Sequence, residues 1–182
     1  MKTIKVPEKE QVSVESQFIF DQIQKKMGMI PNLYATIGYS SHALKGYLAF
    51  DEALSHGVFT PKEREAIFLV VSEINDCNYC LAAHTVTSKM KGISDDEILN
   101  IRSGHSKESR IDTIVHLARS IAENSGNADD VLLDNFFAAG FDEMALIELI
   151  GLVTVRTFTN YVYAVTHIPI DFPEAIPLTT GV

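Results

Sequence analysis

Basic residues are scarce in this chain of 182 residues: 15 Lys and Arg stand against 24 Asp and Glu, a formal net charge of −9. That balance disfavours attraction to nucleic-acid phosphates or to anionic lipid, so neither nucleic acid nor membrane is an expected partner. Period-two alternation rich in β-branched residues is nearly missing, which excludes a predominantly β fold. Long apolar runs are missing too. The most apolar stretch, residues 145–155, is too short to span a bilayer, is flanked by Glu143 and Arg156, and contains Glu148, so a buried helix is expected there. The opening MKTIKVPEKE has no apolar run followed by a small-residue cleavage site, so no signal peptide is expected and the cytoplasm is the expected location. Cysteine is the scarcest chemistry: two residues, Cys77 and Cys80, with only two positions between them. A disulfide framework is thereby excluded, and in a reducing compartment such a pair points to catalysis or metal binding.

What remains is close to the soluble globular average, with 46% hydrophobic and 21% charged residues, enough to bury a core. Start and stop signals divide almost all of it into helices, so the expected fold class is all-α. Residues 14–27 form an apolar-faced helix that closes on Gly28 ahead of Pro31. A short helix to about residue 37 and a longer one over 41–56 follow. Thr60, Pro61 and Glu63 make a capping box with proline at the first helical position, opening a segment whose residues 66–71 are nearly all apolar and therefore surrounded by protein. Asn75 and Asp76 interrupt it. Asp76 is the expected N-cap of the next helix, with Cys77 first and Cys80 fourth, running to about residue 91. Ser94 and Glu97 suggest a second capping box. Further helices are expected over 107–123, 128–139 and 142–166, then an irregular tail from Pro169. No low-complexity tract or linker intervenes, so one domain over 1–182 is expected: N-terminal helices 14–57, an active-site core 60–92, and C-terminal helices 94–168.

The chemistry is concentrated around the cysteines, in Cys-Asn-Tyr-Cys-Leu-Ala-Ala-His. Each helical residue turns about 100°, so Cys77, Cys80 and His84 fall within roughly 60° of one another on one face. A helix N-terminus supplies partial positive charge and free N–H donors, and an imidazole can take the proton, so both favour the nucleophilic thiolate. The spacing also lets the sulfurs close a disulfide after one has reacted with a peroxide oxygen. Two acids are candidates to support His84. Glu73 shares the face if the helix is continuous; Glu65 is the neighbour if Asn75 and Asp76 break it. The residues alone leave two other readings open: a pair of ordinary buried cysteines, or half a zinc site with Glu73 as a further ligand, although no second Cys pair or paired histidines complete it. His42, His56, His105, His116 and His167 are scattered without ligand spacing and are expected on the surface or in packing. Phe18, Phe20, Phe136, Phe137 and Phe158 are expected in the core.

The stretch 65–84, with its Cys-x-x-C-Leu-Ala-Ala-His and a glutamate twelve residues before the first cysteine, resembles the carboxymuconolactone decarboxylase superfamily in its alkylhydroperoxidase D-like (AhpD-like) branch. Gly28-Met-Ile-Pro-Asn-Leu upstream, the Thr60-Pro-x-Glu-Arg-Glu entry, Gly92-Ile-Ser, and Phe158-Thr-Asn-Tyr-Val extend the likeness over most of the chain. The resemblance implies an AhpD-like bundle of about seven to eight helices, assembled as trimers or hexamers, with peroxide-reducing activity. It implies that Cys80 attacks the hydroperoxide, Cys77 resolves it, and Glu65 and His84 relay the proton. An external dithiol of thioredoxin-like or lipoyl type would then reduce the disulfide, with no cofactor and no metal. One family pattern has a histidine immediately before the second cysteine, where this chain has Tyr79. A redox sensor or small-ligand-binding protein of the same fold is the alternative; a lactone decarboxylase is a more distant one.

Overall fold

The computed structural model describes residues 4–178, and among them it contains helices and no strand. A 3₁₀ turn, Lys9–Gln11, precedes α1 (Val14–Met27), α2 (Asn32–Ile37), α3 (Ser41–Ser55), α4 (Pro61–Ile74), α5 (Asn78–Met90), α6 (Asp95–Arg102), α7 (Ser109–Glu123), α8 (Asp130–Ala138) and α9 (Glu143–Thr166). Of these nine α-helices among the described residues, α2 is the shortest at six residues, and the other eight have eight or more.

Local chemistry sets most of the helix ends. Gly28 closes α1 in the left-handed region at φ 80°, where a side chain would be strained. Thr60 and Glu63 form both halves of the capping box: the Glu63 amide donates to Thr60 Oγ1 at 3.3 Å and the Thr60 amide to Glu63 Oε2 at 2.7 Å. The box expected at Ser94 is only half made. Ser94 accepts from the Glu97 amide, but the Glu97 carboxylate is taken by Ser106 Oγ, the Lys107 amide and Asn100 Nδ2. The α6–α7 connection supplies donors that outcompete a single backbone N–H.

α4 lies at the centre, packed against α5, α6, α7 and α9. Its continuous apolar run is the reason, since residues from Ala66 to Ser72 are all buried and only a helix enclosed by others has no polar face. α9 is 24 residues long, extending well past residue 155, and is long and apolar enough to cross a membrane by length and composition alone. In this fold it packs on α3, α4 and α7, and buries Arg156 and Asn160. Asn160 satisfies its amide locally, accepting from Asn75 Nδ2 at 2.9 Å and donating to Ser72 Oγ at 3.3 Å.

The phenylalanines divide. Phe20 and Phe136 are in the core, whereas Phe18 is largely exposed and Phe137 and Phe158 are partly so. Phe18 and Phe20 lie about 200° apart around α1, and Phe136 and Phe137 about 100° apart on α8, so neither helix can bury both members of its pair. The irregular tail after His167 is an ordered strap. Asp171 accepts from the Asn32 amide at 2.8 Å and from Tyr79 Oη at 2.6 Å, and Arg102 Nη1 donates to the Ile176 carbonyl at 2.5 Å.

Candidate active site

Two helices meet head to tail at the cysteines. α4 ends in a Schellman closure: the Asp76 amide donates to the Glu73 carbonyl at 3.1 Å and the Cys77 amide to the Ser72 carbonyl at 2.9 Å. This closure needs a left-handed residue, and Asp76 provides it at φ 50°, a region aspartate tolerates better than most side chains. Asp76 therefore cannot be the expected N-cap, which requires extended backbone. Cys77 takes that place. Its Sγ accepts from the Cys80 amide at 3.3 Å, α5 starts at Asn78, and Cys80 is the third helical residue instead of the fourth. The two cysteines are joined as a disulfide with Cα atoms 5.3 Å apart, and both are buried.

One turn along α5, His84 reaches back to α4. Its Nδ1 lies 2.8 Å from Glu65 Oε2, and Thr87 Oγ1 donates to the same carboxylate oxygen at 2.8 Å. Glu73 is not part of this group: it turns to Arg102, whose Nε donates to it at 2.7 Å. The break at Asn75 and Asp76 is what separates the two acids, because it rotates α5 away from the face of α4 that carries Glu73. Phe68 packs on His84 with ring centroids 5.0 Å apart, and the Arg156 guanidinium lies 4.0 Å over the other side of the site, on the Phe68 ring.

Burial is the main influence on both titrating groups. It lowers the pKa of His84, and the nearby Arg156 charge lowers it further, against the opposing pull of Glu65. For Glu65 burial acts upward, but the His84 charge, the hydrogen bonds from His84 and Thr87, and Arg156 outweigh it and leave the pKa lowered. The resting pair is therefore a carboxylate accepting from neutral His84 Nδ1–H, which leaves the lone pair on Nε2. That is a base oriented by its neighbour.

These shifts carry a stability consequence. His84 has a folded pKa below its ordinary 6.5, so the unfolded chain takes up its proton first and stability falls as pH drops below 6.5. Glu65, lowered from 4.5, adds a second loss as pH falls through its folded pKa. Urea midpoints are expected to decrease steadily from pH 7.5 to pH 5, less so in His84→Gln. Equal pH dependence in the two proteins would contradict the buried neutral imidazole.

A cavity of about 100 Å³ opens on this group, lined by Tyr34, Tyr79, Cys80, His84, Arg156 and Phe172 among others. Cys77 is not among its lining residues. Tyr79, which precedes Cys80, faces the strap: its hydroxyl donates to Asp171 and accepts from the Leu33 amide at 3.2 Å. Burial, then the bond to Asp171, raises its pKa far above the ordinary value for tyrosine. It stays protonated at physiological pH and holds the tail.

Residues 42–104 match the model of the carboxymuconolactone decarboxylase family, a span that contains Glu65, both cysteines and His84. That span is about a third of the chain, and the fold around it is AhpD-like. Among solved structures, the alkylhydroperoxidase AhpD core protein from Ralstonia eutropha JMP134, a peroxidase-related protein, superposes with TM-score 0.81 at 18% identity, covering 91% of this chain and 90% of that one. A peroxidase-related protein from Silicibacter sp. TM1040 gives TM-score 0.74 at 21% identity, covering 93% and 89%. The debrominase Bmp8, in complex with 2,3,4-tribromopyrrole, gives 0.77 at 14% identity, covering 94% and 92%. A sequence search of curated proteins finds no match.

The AhpD-like fold thus brings together Cys77, Cys80, His84 and Glu65 and sets Glu73 apart. Sequence reasoning missed Thr87, Arg156, Asp171 and Phe172. Thr87 was three residues from His84 on the same helix face, and Arg156 is the one basic residue in an apolar helix; both are visible signals. Asp171 and Phe172 had none. The outlying histidines, read as scattered, include two that converge: donor atoms of His105, Asp112 and His116 lie within 4.8 Å of one another, and the two imidazole rings pack edge to face.

Proposed function

We propose that the protein is a thiol-dependent hydroperoxide reductase. The observation that carries this reading is that Cys80, and not Cys77, borders the cavity beside His84. A peroxide entering the cavity meets the sulfur of Cys80. Its thiolate attacks the terminal oxygen, the O–O bond breaks, and the leaving alkoxide takes a proton, giving an alcohol and a Cys80 sulfenic acid. His84, neutral and held by Glu65, takes the thiol proton and returns it to the alkoxide. Cys77 then attacks the Cys80 sulfur, water leaves, and the disulfide forms. An external dithiol of thioredoxin-like or lipoyl type restores both thiols by exchange.

The peroxidase-related relatives support this reading by fold. Assembly into a homo-oligomer, a trimer or hexamer, is supported by an outward ridge on α9, where exposed Met144, Ile147, Phe158, Tyr161 and Val165 recur at helical spacing. The chemistry is tested in Cys77→Ser, which cannot resolve an intermediate. One equivalent of hydrogen peroxide or tert-butyl hydroperoxide, followed by dimedone, is expected to label Cys80. Absence of the adduct, with Cys80 recovered as a thiol, would overturn the assignment and favour a passive or sensing role for the pair.

A further inference from the structure

Arg156 sits in the cavity with less pairing than a buried cation requires. The residue is 5% exposed, and a guanidinium removed from water is costly to bury unless carboxylates or other acceptors replace its hydration. Its five N–H donors find little. Nη1 reaches Thr159 Oγ1 at 3.4 Å, the long edge of a hydrogen bond; Nη2 is 3.9 Å from Asp51 Oδ1; Nε is buried with no hydrogen-bond partner among the described residues. The Glu65 carboxylate accepts from His84 and Thr87 through Oε2 and makes no ion pair with Arg156. Stacking on Phe68 holds the guanidinium plane in place and supplies no acceptor.

The cavity itself is mostly apolar, walled by tyrosines, Phe172, Leu33 and Pro31, and among the described residues the cation is the one fixed positive charge lining it. We infer that this cavity is an anion subsite, and that the substrate of Cys80 is a small molecule carrying a carboxylate or equivalent anionic group that Arg156 binds while the reacting atom faces the thiolate. This rests on the thiol chemistry proposed for the same site and names its substrate class: a short-chain hydroperoxide bearing an acid group. The volume, about 100 Å³, is that of roughly three water molecules and admits only a compact group beside the sulfur. Arg156 acts here as a binding residue; Cys80 and His84 keep their roles.

The test compares two alkylating probes, iodoacetate and iodoacetamide, which share a leaving group and nearly a shape but differ in charge. Second-order rates at Cys80 of the reduced protein are followed by peptide mass spectrometry. The iodoacetate-to-iodoacetamide ratio is expected to be at least about tenfold higher in wild type than in Arg156→Gln, with Arg156→Lys between them. The same ratio in wild type and Arg156→Gln overturns the subsite. Should Arg156→Gln fail to fold, protection in wild type decides: acetate at millimolar concentration should slow iodoacetamide at Cys80, and acetamide should not. Equal effects of the two overturn it. Alkylation involves no peroxide, so charge preference without peroxide turnover supports the subsite and sinks the reductase reading, while turnover without charge preference overturns the subsite alone.

Discussion

Cys80→Ser is expected to slow dithiol-dependent hydroperoxide consumption by on the order of 10³-fold or more, the scale on which loss of a covalent nucleophile acts. A serine hydroxyl is not ionised at neutral pH and does not take up a peroxide oxygen, so nothing at that position can replace the thiolate. Cys77→Ser should behave differently. Its first turnover, read as the fast loss of one equivalent of peroxide in a stopped-flow trace, should proceed near the wild-type rate, because Cys80 and His84 still face the cavity. The second turnover should stall, since no internal thiol remains to displace water from the sulfenic acid. The reverse pattern, a first turnover lost in Cys77→Ser and kept in Cys80→Ser, would exchange the two roles. That alternative is a serious one: Cys77 is the N-cap sulfur and already accepts the Cys80 amide, an arrangement that stabilises negative charge on Cys77. The geometry sets a stabilised thiolate at Cys77 against access to the cavity at Cys80, and the proposed roles follow the access.

Glu65→Gln is expected to cut kcat/KM by about 10²–10³-fold, within the usual span for general acid–base assistance. Glu65 Oε2 accepts from both His84 and Thr87, and a neutral amide oxygen holds two donors poorly. The amide nitrogen would also favour the tautomer with the His84 lone pair on Nδ1, turning the base away from the cavity. Because Glu65 raises the His84 pKa against burial, its loss should move the acid limb of the kcat/KM profile to lower pH while the plateau falls. Glu73→Gln provides the contrast. Glu73 pairs with the buried Arg102, so its loss should leave kcat/KM within about threefold of wild type and cost about 1–3 kcal/mol of stability, measured by urea unfolding. A catalytic defect in Glu73→Gln equal to that in Glu65→Gln would mean that the proton path runs through the wrong acid.

The choice between these two glutamates shows where the sequence was legible. Asn75 and Asp76 announced a break, and a break implied that Glu65 would be the neighbour of His84. What the sequence did not disclose was the form of the break. A Schellman closure consumes Asp76 as its left-handed residue, and so hands the capping position to Cys77. Asp76 looked like an N-cap because aspartate suits both roles, and the backbone hydrogen bonds of α4 resolve the competition. Ser94 shows the same effect in another form, where donors from the α6–α7 connection captured the glutamate that would have completed its capping box. Tyr79 appeared as a departure from a family pattern. Its role as the anchor of the tail depends on Asp171, 92 residues away, which no local pattern links to it.

By itself, then, the sequence determined that this protein is helical, where each helix begins and ends to within a residue or two, and that Cys80 and His84 share one helix face just past Cys77. Those properties follow from contacts within a few residues, which caps, glycines and the 3.6-residue period encode directly. Only the tertiary structure decided which acid holds His84, which sulfur borders the cavity, that Arg156 stands there with few acceptors, and that the tail closes over Tyr79. Each of these joins residues from separate helices or from the tail. Their meeting depends on how α4, α5 and α9 pack, and burial then sets the charge state of what they bring together.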